Sequence, residues 1–136
     1  MTTNRPDLSD RLLAFSARVI RLLDSFPSTK AAREIEGQLL RSGMGVGSNY
    51  EETRGADSRA DFCNKLQISF KETRETHYWL CLTDRAALLK DRVDLAALID
   101  EATQLRAILG KSIAARRVLQ KASGPRRQSE GGDCHC

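Results

Sequence analysis

The chain has 136 residues, 40% of them hydrophobic and 29% charged, with three prolines and a formal net charge of +4. A chain of this length makes one domain around a single core and needs neither disulfides nor metal to fold. The least charged stretches, such as Trp79 to Thr83, are far shorter than the roughly 20 apolar residues of a membrane span. Met1 to Asp10 has no apolar signal core, which predicts a cytoplasmic protein.

Residues 1–7 read as an N-terminal arm. From Leu8, apolar residues recur at three- and four-residue spacing through Leu12, Phe15, Val19, Leu22, Leu23 and Phe26, predicting a first helix stopped by Pro27. Ser28 or Thr29 caps a second helix through Ala31, Ile35, Leu39 and Leu40, continuing over Gly43, Gly45 and Gly47 towards Thr53. Each glycine costs up to about 1 kcal/mol against alanine, so a close helix crossing is expected to compensate. Gly55-Ala56-Asp57-Ser58 reads as a turn and N-cap, with Asp61 in the first turn of a third helix from about Arg59 to Leu82 or beyond. After a loop around Lys90 to Asp94, a fourth helix carries the stripe Leu95, Leu98, Ala102, Leu105, Leu109, Ser112 and Ile113. Gly124-Pro125 stops it, so the folded domain spans 8–122 and residues 123–136 read as a disordered tail.

Four amphipathic helices on short connections predict an all-α, up-down-up-down four-helix bundle. The third helix is apolar on two sides, with Phe62, Leu66, Ser69, Thr73 and Leu80 on one and Ile68, Trp79 and Leu82 more than about 90° away. The second stripe suits either another subunit or an asymmetric bundle that buries both.

With the helices placed, Gln38-Leu39-Leu40-Arg41-Ser42, Val46-Gly47-Ser48-Asn49 with Glu52, Asp61-Phe62 with Leu66, and Glu75 resemble the signature of the ribosomal RNA intervening-sequence proteins. These are small bacterial four-helix proteins, some encoded within inserts in 23S rRNA genes. The resemblance covers Leu8 to about Lys121, and departs from the commonest pattern at Tyr50, Glu51 and Thr53. It implies a bundle assembled as a ring-like homo-oligomer, commonly a pentamer, without enzymatic activity. It also implies structural roles for the polar residues Arg41, Asn49, Glu52 and Glu75, which fix helix register or a subunit contact. A more distant relative, the accessory protein of diversity-generating retroelements, is a basic pentamer that binds nucleic acid and a reverse transcriptase, which adds a partner of that kind to the expectations.

Other motifs fail on their chemistry. Gly43-Met44-Gly45-Val46-Gly47-Ser48 lacks the preceding strand and the Lys-Ser or Lys-Thr of a phosphate loop. Glu51, Glu52, Glu72, Glu75 and His77 do not make the paired Glu-x-x-His motifs of a di-iron bundle. Cys63 and Cys81 are about 27 Å apart along one predicted helix and read as small buried hydrophobes, not a disulfide. Cys134-His135-Cys136 suits adventitious metal binding on a tail, not a structural site. No cofactor, metal site or catalytic constellation is called for.

The strongest functional signal is charge polarity. Ala102 to Ser129 contains no acidic residue, while Arg106, Lys111, Arg116, Arg117, Lys121, Arg126 and Arg127 are cationic. Arg106, Arg117 and Lys121 project onto one polar face suited to phosphates, whereas Arg116 projects into the apolar sector and must pair with a carboxylate or reach out to solvent. With few aromatic platforms, the expected activity is non-catalytic binding of DNA or RNA with low sequence specificity, through Arg106, Lys111, Arg117, Lys121, Arg126 and Arg127. The alternative is a protein-interaction scaffold with no nucleic-acid role.

Overall fold

The computed structural model describes residues 7–123, with side chains as far as Leu119. Four α-helices account for most of them: α1 (Leu8–Leu23), α2 (Lys30–Glu51), α3 (Arg59–Arg85) and α4 (Val93–Ser123), with a 3-10 turn at Glu52–Gly55 between α2 and α3. No strand occurs among the described residues. The arm before Asp7 and the tail after Ser123 lie outside them.

Local chemistry sets the helix ends. Thr29 is the cap of α2, its side chain accepting from the Ala32 amide at 3.2 Å, and Ser58 caps α3 by accepting from Asp61 at 3.0 Å. Helix α1 stops at Leu23, three residues before the expected end. The chain tightens there, with Ser25 and Phe26 donating to the carbonyls of Leu22 and Leu23, because the residue before Pro27 is kept out of helical geometry. Helix α3 ends in a Schellman turn: Leu88 donates to Thr83 O and Ala87 to Asp84 O. Ala87 takes the left-handed position, φ 54°, normally given to glycine.

The core takes Leu12, Phe15, Val19 and Leu22 from α1, Ile35, Leu39 and Val46 from α2, Leu80 from α3, and Leu95, Leu98, Ala102 and Leu105 from α4. A second cluster of Cys63, Leu66, Leu109 and Ile113 closes the α3–α4 end. Burying each such Leu or Val removes from water a side chain worth roughly 1.5–3 kcal/mol. The core stripe of α3 is unusually rich in hydroxyls, and three of them return to their own helix: Thr73, Thr76 and Thr83 donate to the carbonyls four residues earlier at 2.8 Å. Trp79 and Leu82 are half-buried against the first core cluster. Two members of the second stripe of α3 therefore find a partner within the chain, and Ile68 is half-buried in neither cluster.

The expected close crossing is present on both sides of α2. On the α1 side, a Cβ at Gly43 would stand 3.0 Å from Val19 Cγ1 and one at Gly47 3.5 Å from Leu12 Cβ, while Ser16 donates to Gly43 O at 2.6 Å. On the α3 side, Ser69 donates to Val46 O at 2.7 Å, Ser42 and Thr76 share a hydrogen bond of 2.8 Å, and Gly45 faces Glu72. Residue numbers rise on one helix as they fall on its neighbour: Leu12 with Gly47 and Val19 with Gly43, then Ser42 with Thr76 and Val46 with Ser69, then Phe70 with Gly110 and His77 with Arg106.

This packing separates glycines that sequence treats alike. Gly43→Ala gains helix propensity but drives a methyl against a stiff, buried β-branched neighbour, and a net loss of about 1 kcal/mol is expected. Gly37 has nothing within 4 Å, so Gly37→Ala should stabilise by up to about 1 kcal/mol. Urea midpoints of the two variants check this; equal gains would mean that α1 and α2 do not touch closely at Gly43.

Candidate nucleic-acid interface

The predicted cations of α4 do not form one patch. Arg106 and Arg117 face the α3 side of the helix, while Lys111 is exposed about 120–140° around it, away from them. Lys121 falls in the last turn of α4, and Arg126 and Arg127, like Cys134-His135-Cys136, lie outside the described residues. Arg116 takes neither expected course. Its guanidinium lies 4.0 Å from the centroid of the Phe62 ring on α3, where a weakly hydrated planar cation stacks favourably.

What the fold adds is the other wall. An open groove along the α3–α4 seam is lined by Lys71, Arg74, Glu75, His77, Tyr78 and Cys81 of α3 and by Arg106 of α4. None of the three cations makes a carboxylate ion pair among the described residues; Arg74 lies 5.8 Å from the Phe70 ring instead. Glu75 is engaged on the far side, paired with Arg41 and accepting from Trp79 Nε1 at 3.2 Å. Tyr78 is 58% exposed, with its ring set edge-on to Trp79 at 5.1 Å between centroids. Lys71 and Arg74 escape a reading that takes its cations from α4 alone, and Tyr78 counts there only as one of a few scattered aromatic platforms. Projecting α3 puts all three within about 60° on its polar face, so the signal was present.

His77 sits beneath Arg106. Arg106 Nη1 approaches His77 Nδ1 at 3.3 Å, and because arginine can only donate, Nδ1 must be the acceptor. The ring is then neutral with its proton on Nε2, which faces Thr103 Oγ1 at 3.1 Å. Burial, and secondly the positive charge of Arg106, hold the His77 pKa below its ordinary value. Cys81 Sγ lies 3.7 Å from His77 Nε2, and Cys63 is fully buried. Among the described residues no three His, Cys, Asp or Glu side chains gather as a metal site, and no helix is long and apolar enough to cross a membrane.

Of the four polar residues singled out by resemblance, Arg41, Asn49 and Glu52 lie on α2 and the turn after it, and Glu75 reaches from the rim of the groove towards α2. Arg41 binds Gln38 Oε1 at 2.9 Å as well as Glu75, Asn49 donates to Gly45 O at 2.8 Å, and Glu52 meets Lys65 at 3.2 Å. Glu72 joins them less comfortably. Its Oε1 is buried without a hydrogen bond, and at 3.8 Å Arg41 is near enough for attraction but too far to donate. Burial chiefly raises its pKa, against the opposing pull of Arg41. Across the molecule, Arg11 makes a two-point pair with Glu101 at 2.7 and 3.0 Å, and that hydrogen bonding holds the Glu101 pKa low.

These two depressed groups give stability an acid limb in two steps. A group whose folded pKa is depressed contributes stability above its unfolded value and loses it as pH falls through the folded one. His77 therefore acts first, below about pH 6.5, and Glu101 only below about pH 4.3. His77→Gln is expected to flatten the first step and spare the second; thermal melts across pH check this, and an unchanged first step would place its origin elsewhere.

The comparisons with known proteins bear on the family and the four-helix fold. Residues 7–111 match the family model described as 23S rRNA-intervening sequence protein. A 1.70 Å crystal structure of a protein of unknown function from the S23 ribosomal protein family of Bacteroides thetaiotaomicron superposes with a TM-score of 0.71 at 34% identity, covering 79% of this chain and 98% of that one. No curated protein matches. With the family model spanning most of the chain and a relative of that identity aligned over nearly its whole length, the chain belongs to the 23S rRNA-intervening sequence protein family.

Proposed function

We propose that this protein is a cytoplasmic, non-catalytic, up-down-up-down four-helix bundle that assembles as a ring-like homo-oligomer, a pentamer by family resemblance, and binds nucleic acid with low sequence specificity. The observation that carries the reading is the charge polarity of α4. No acidic residue occurs from Ala102 to Ser129, and Arg106 and Arg117 share the side of α4 turned towards α3. The alternation of contacts along each pair of consecutive helices supports the up-down order. Repetition of the basic surface around a ring multiplies weak phosphate contacts into useful avidity.

A protein scaffold is the second reading, and a specific observation favours it. Leu13 and Ile20 on α1 and Leu40 and Met44 on α2 are 70%, 45%, 41% and 51% exposed, and they flank the same α1–α2 seam. A surface of this kind is suited to a second copy or to a protein partner, a reverse transcriptase being the one implied by the more distant relative.

Replacing Arg106, Arg117 and Lys121 together with Glu is expected to abolish binding to mixed DNA and RNA while leaving far-ultraviolet helicity intact. For the unaltered protein, log K should fall linearly with log salt, by about 0.7–0.9 for each phosphate neutralised. Binding that survives both the substitutions and high salt would favour the apolar scaffold.

A further inference from the structure

We propose that the α3–α4 groove is a track for single-stranded nucleic acid, in which Lys71, Arg74 and Arg106 hold the phosphates and Tyr78 stacks a base; this rests on the nucleic-acid reading above and names its site and strand preference. The groove brings cations from two helices together, whereas a solvated basic face would need only one. The one carboxylate in the lining, Glu75, is paired with Arg41, so the three cations repel one another until an anion is shared among them.

The groove also supplies a fixed aromatic surface. Tyr78 is more than half exposed, yet its ring is braced edge-on by Trp79, whose indole N–H is in turn tied to Glu75. A braced ring loses little freedom when a base lands on it. The bases of a duplex are already stacked on one another and their faces are closed to such a ring, so the arrangement selects an unpaired strand.

The same pairing of guanidinium and ring recurs between these helices, with Arg74 over Phe70 and Arg116 over Phe62. From Lys71 to Tyr78 the groove covers about 10 Å of α3. His77 lies within it, neutral beneath Arg106. A phosphate shared by Arg106 reduces the positive potential on that ring, so occupancy reads out as an upward shift of the His77 titration.

The test is fluorescence anisotropy of the full chain at low salt, with labelled oligothymidylate, oligouridylate and a matched duplex hairpin as probes. Tyr78→Ala is expected to weaken both single strands by about tenfold, within the range of one lost base–aromatic stack, and to leave the hairpin unchanged. Tyr78→Phe should bind as the parent does, and Lys71→Ala with Arg74→Ala should weaken every probe and shallow the salt dependence. Far-ultraviolet spectra establish that each variant is folded, and the two homopolymers separate DNA from RNA. If the substitutions on α3 leave binding intact while the α4 charge reversal destroys it, the groove is not the site and the general reading stands. If Tyr78→Ala weakens the hairpin as much as the single strands, the strand preference is wrong. A parent protein that binds none of the probes overturns both the track and the reading beneath it.

Discussion

The approach of α2 to both of its neighbours is the constraint on which the rest of the molecule depends. Small residues on that helix let α1 come within a methyl's width at Gly43, and hydroxyls from Ser16 and Ser69 seal both crossings onto α2 carbonyls. These carbonyls already serve the helix ladder, and their second lone pair is satisfied by a side chain that exists only at the right register. A slide of α3 by one turn would take from the buried Ser42 and Ser69 their partners across the crossing, at a cost of roughly 1–3 kcal/mol for each unsatisfied group. Glycine weakens α2 as an isolated helix and strengthens it as a component, because what is lost in propensity is recovered in contact with two partners.

Once α2 fixes α3, the distribution of carboxylates determines where cationic surface remains. Glu72 and Glu75 are turned towards Arg41, Glu52 towards Lys65, and Glu101 towards Arg11. These acids are thus used in the α2–α3 and α1–α4 seams, and the acid that also lines the α3–α4 groove, Glu75, is paired with Arg41 and not with the groove's arginines. Aromatic rings take the acids' place as neighbours of Arg74 and Arg116. A ring attracts a guanidinium without neutralising it, so these side chains are positioned while their charge stays available. Glu72 is the exception to this economy: its buried Oε1 has no hydrogen bond, and only the attraction of Arg41 at 3.8 Å offsets its burial.

The helices were legible because burial on one face leaves a periodic trace, and the caps at Thr29 and Ser58 could be recognised from side chains that accept hydrogen bonds. The end of α3 was less so. Its Schellman turn is built on Ala87 instead of glycine, and an alanine in the left-handed region leaves no mark in a sequence. Trp79 and Leu82 were legible as a second apolar stripe, but not their destination, since a projection gives the angle of a side chain and not what lies opposite it. Arg116 was placed correctly in the apolar sector and its partner was missed, because the choice among carboxylate, solvent and ring depends on which residue of α3 stands across the seam. Of the groove, the α4 wall was read from an acid-free run, and Lys71, Arg74 and Tyr78 needed the pairing of two helices to become one surface.

The order in which the helices touch gives the two candidate surfaces a fixed relation. Contacts join α1 to α2, α2 to α3, α3 to α4 and α4 to α1, and neither diagonal pair meets among the described residues. The exposed apolar residues Leu13, Ile20, Leu40 and Met44 flank the α1–α2 seam, which in such a cycle lies across the molecule from the α3–α4 groove. The two proposed activities, apolar association and phosphate binding, therefore fall on different faces. Copies joined through α1 and α2 turn their basic seams outward, where an extended strand can pass from one to the next; copies joined through α3 and α4 would force like charges together in a desolvated contact, which costs several kcal/mol for a close pair of cations. Of the two arrangements open to the proposed oligomer, the charge distribution favours the one that would multiply the groove instead of closing it.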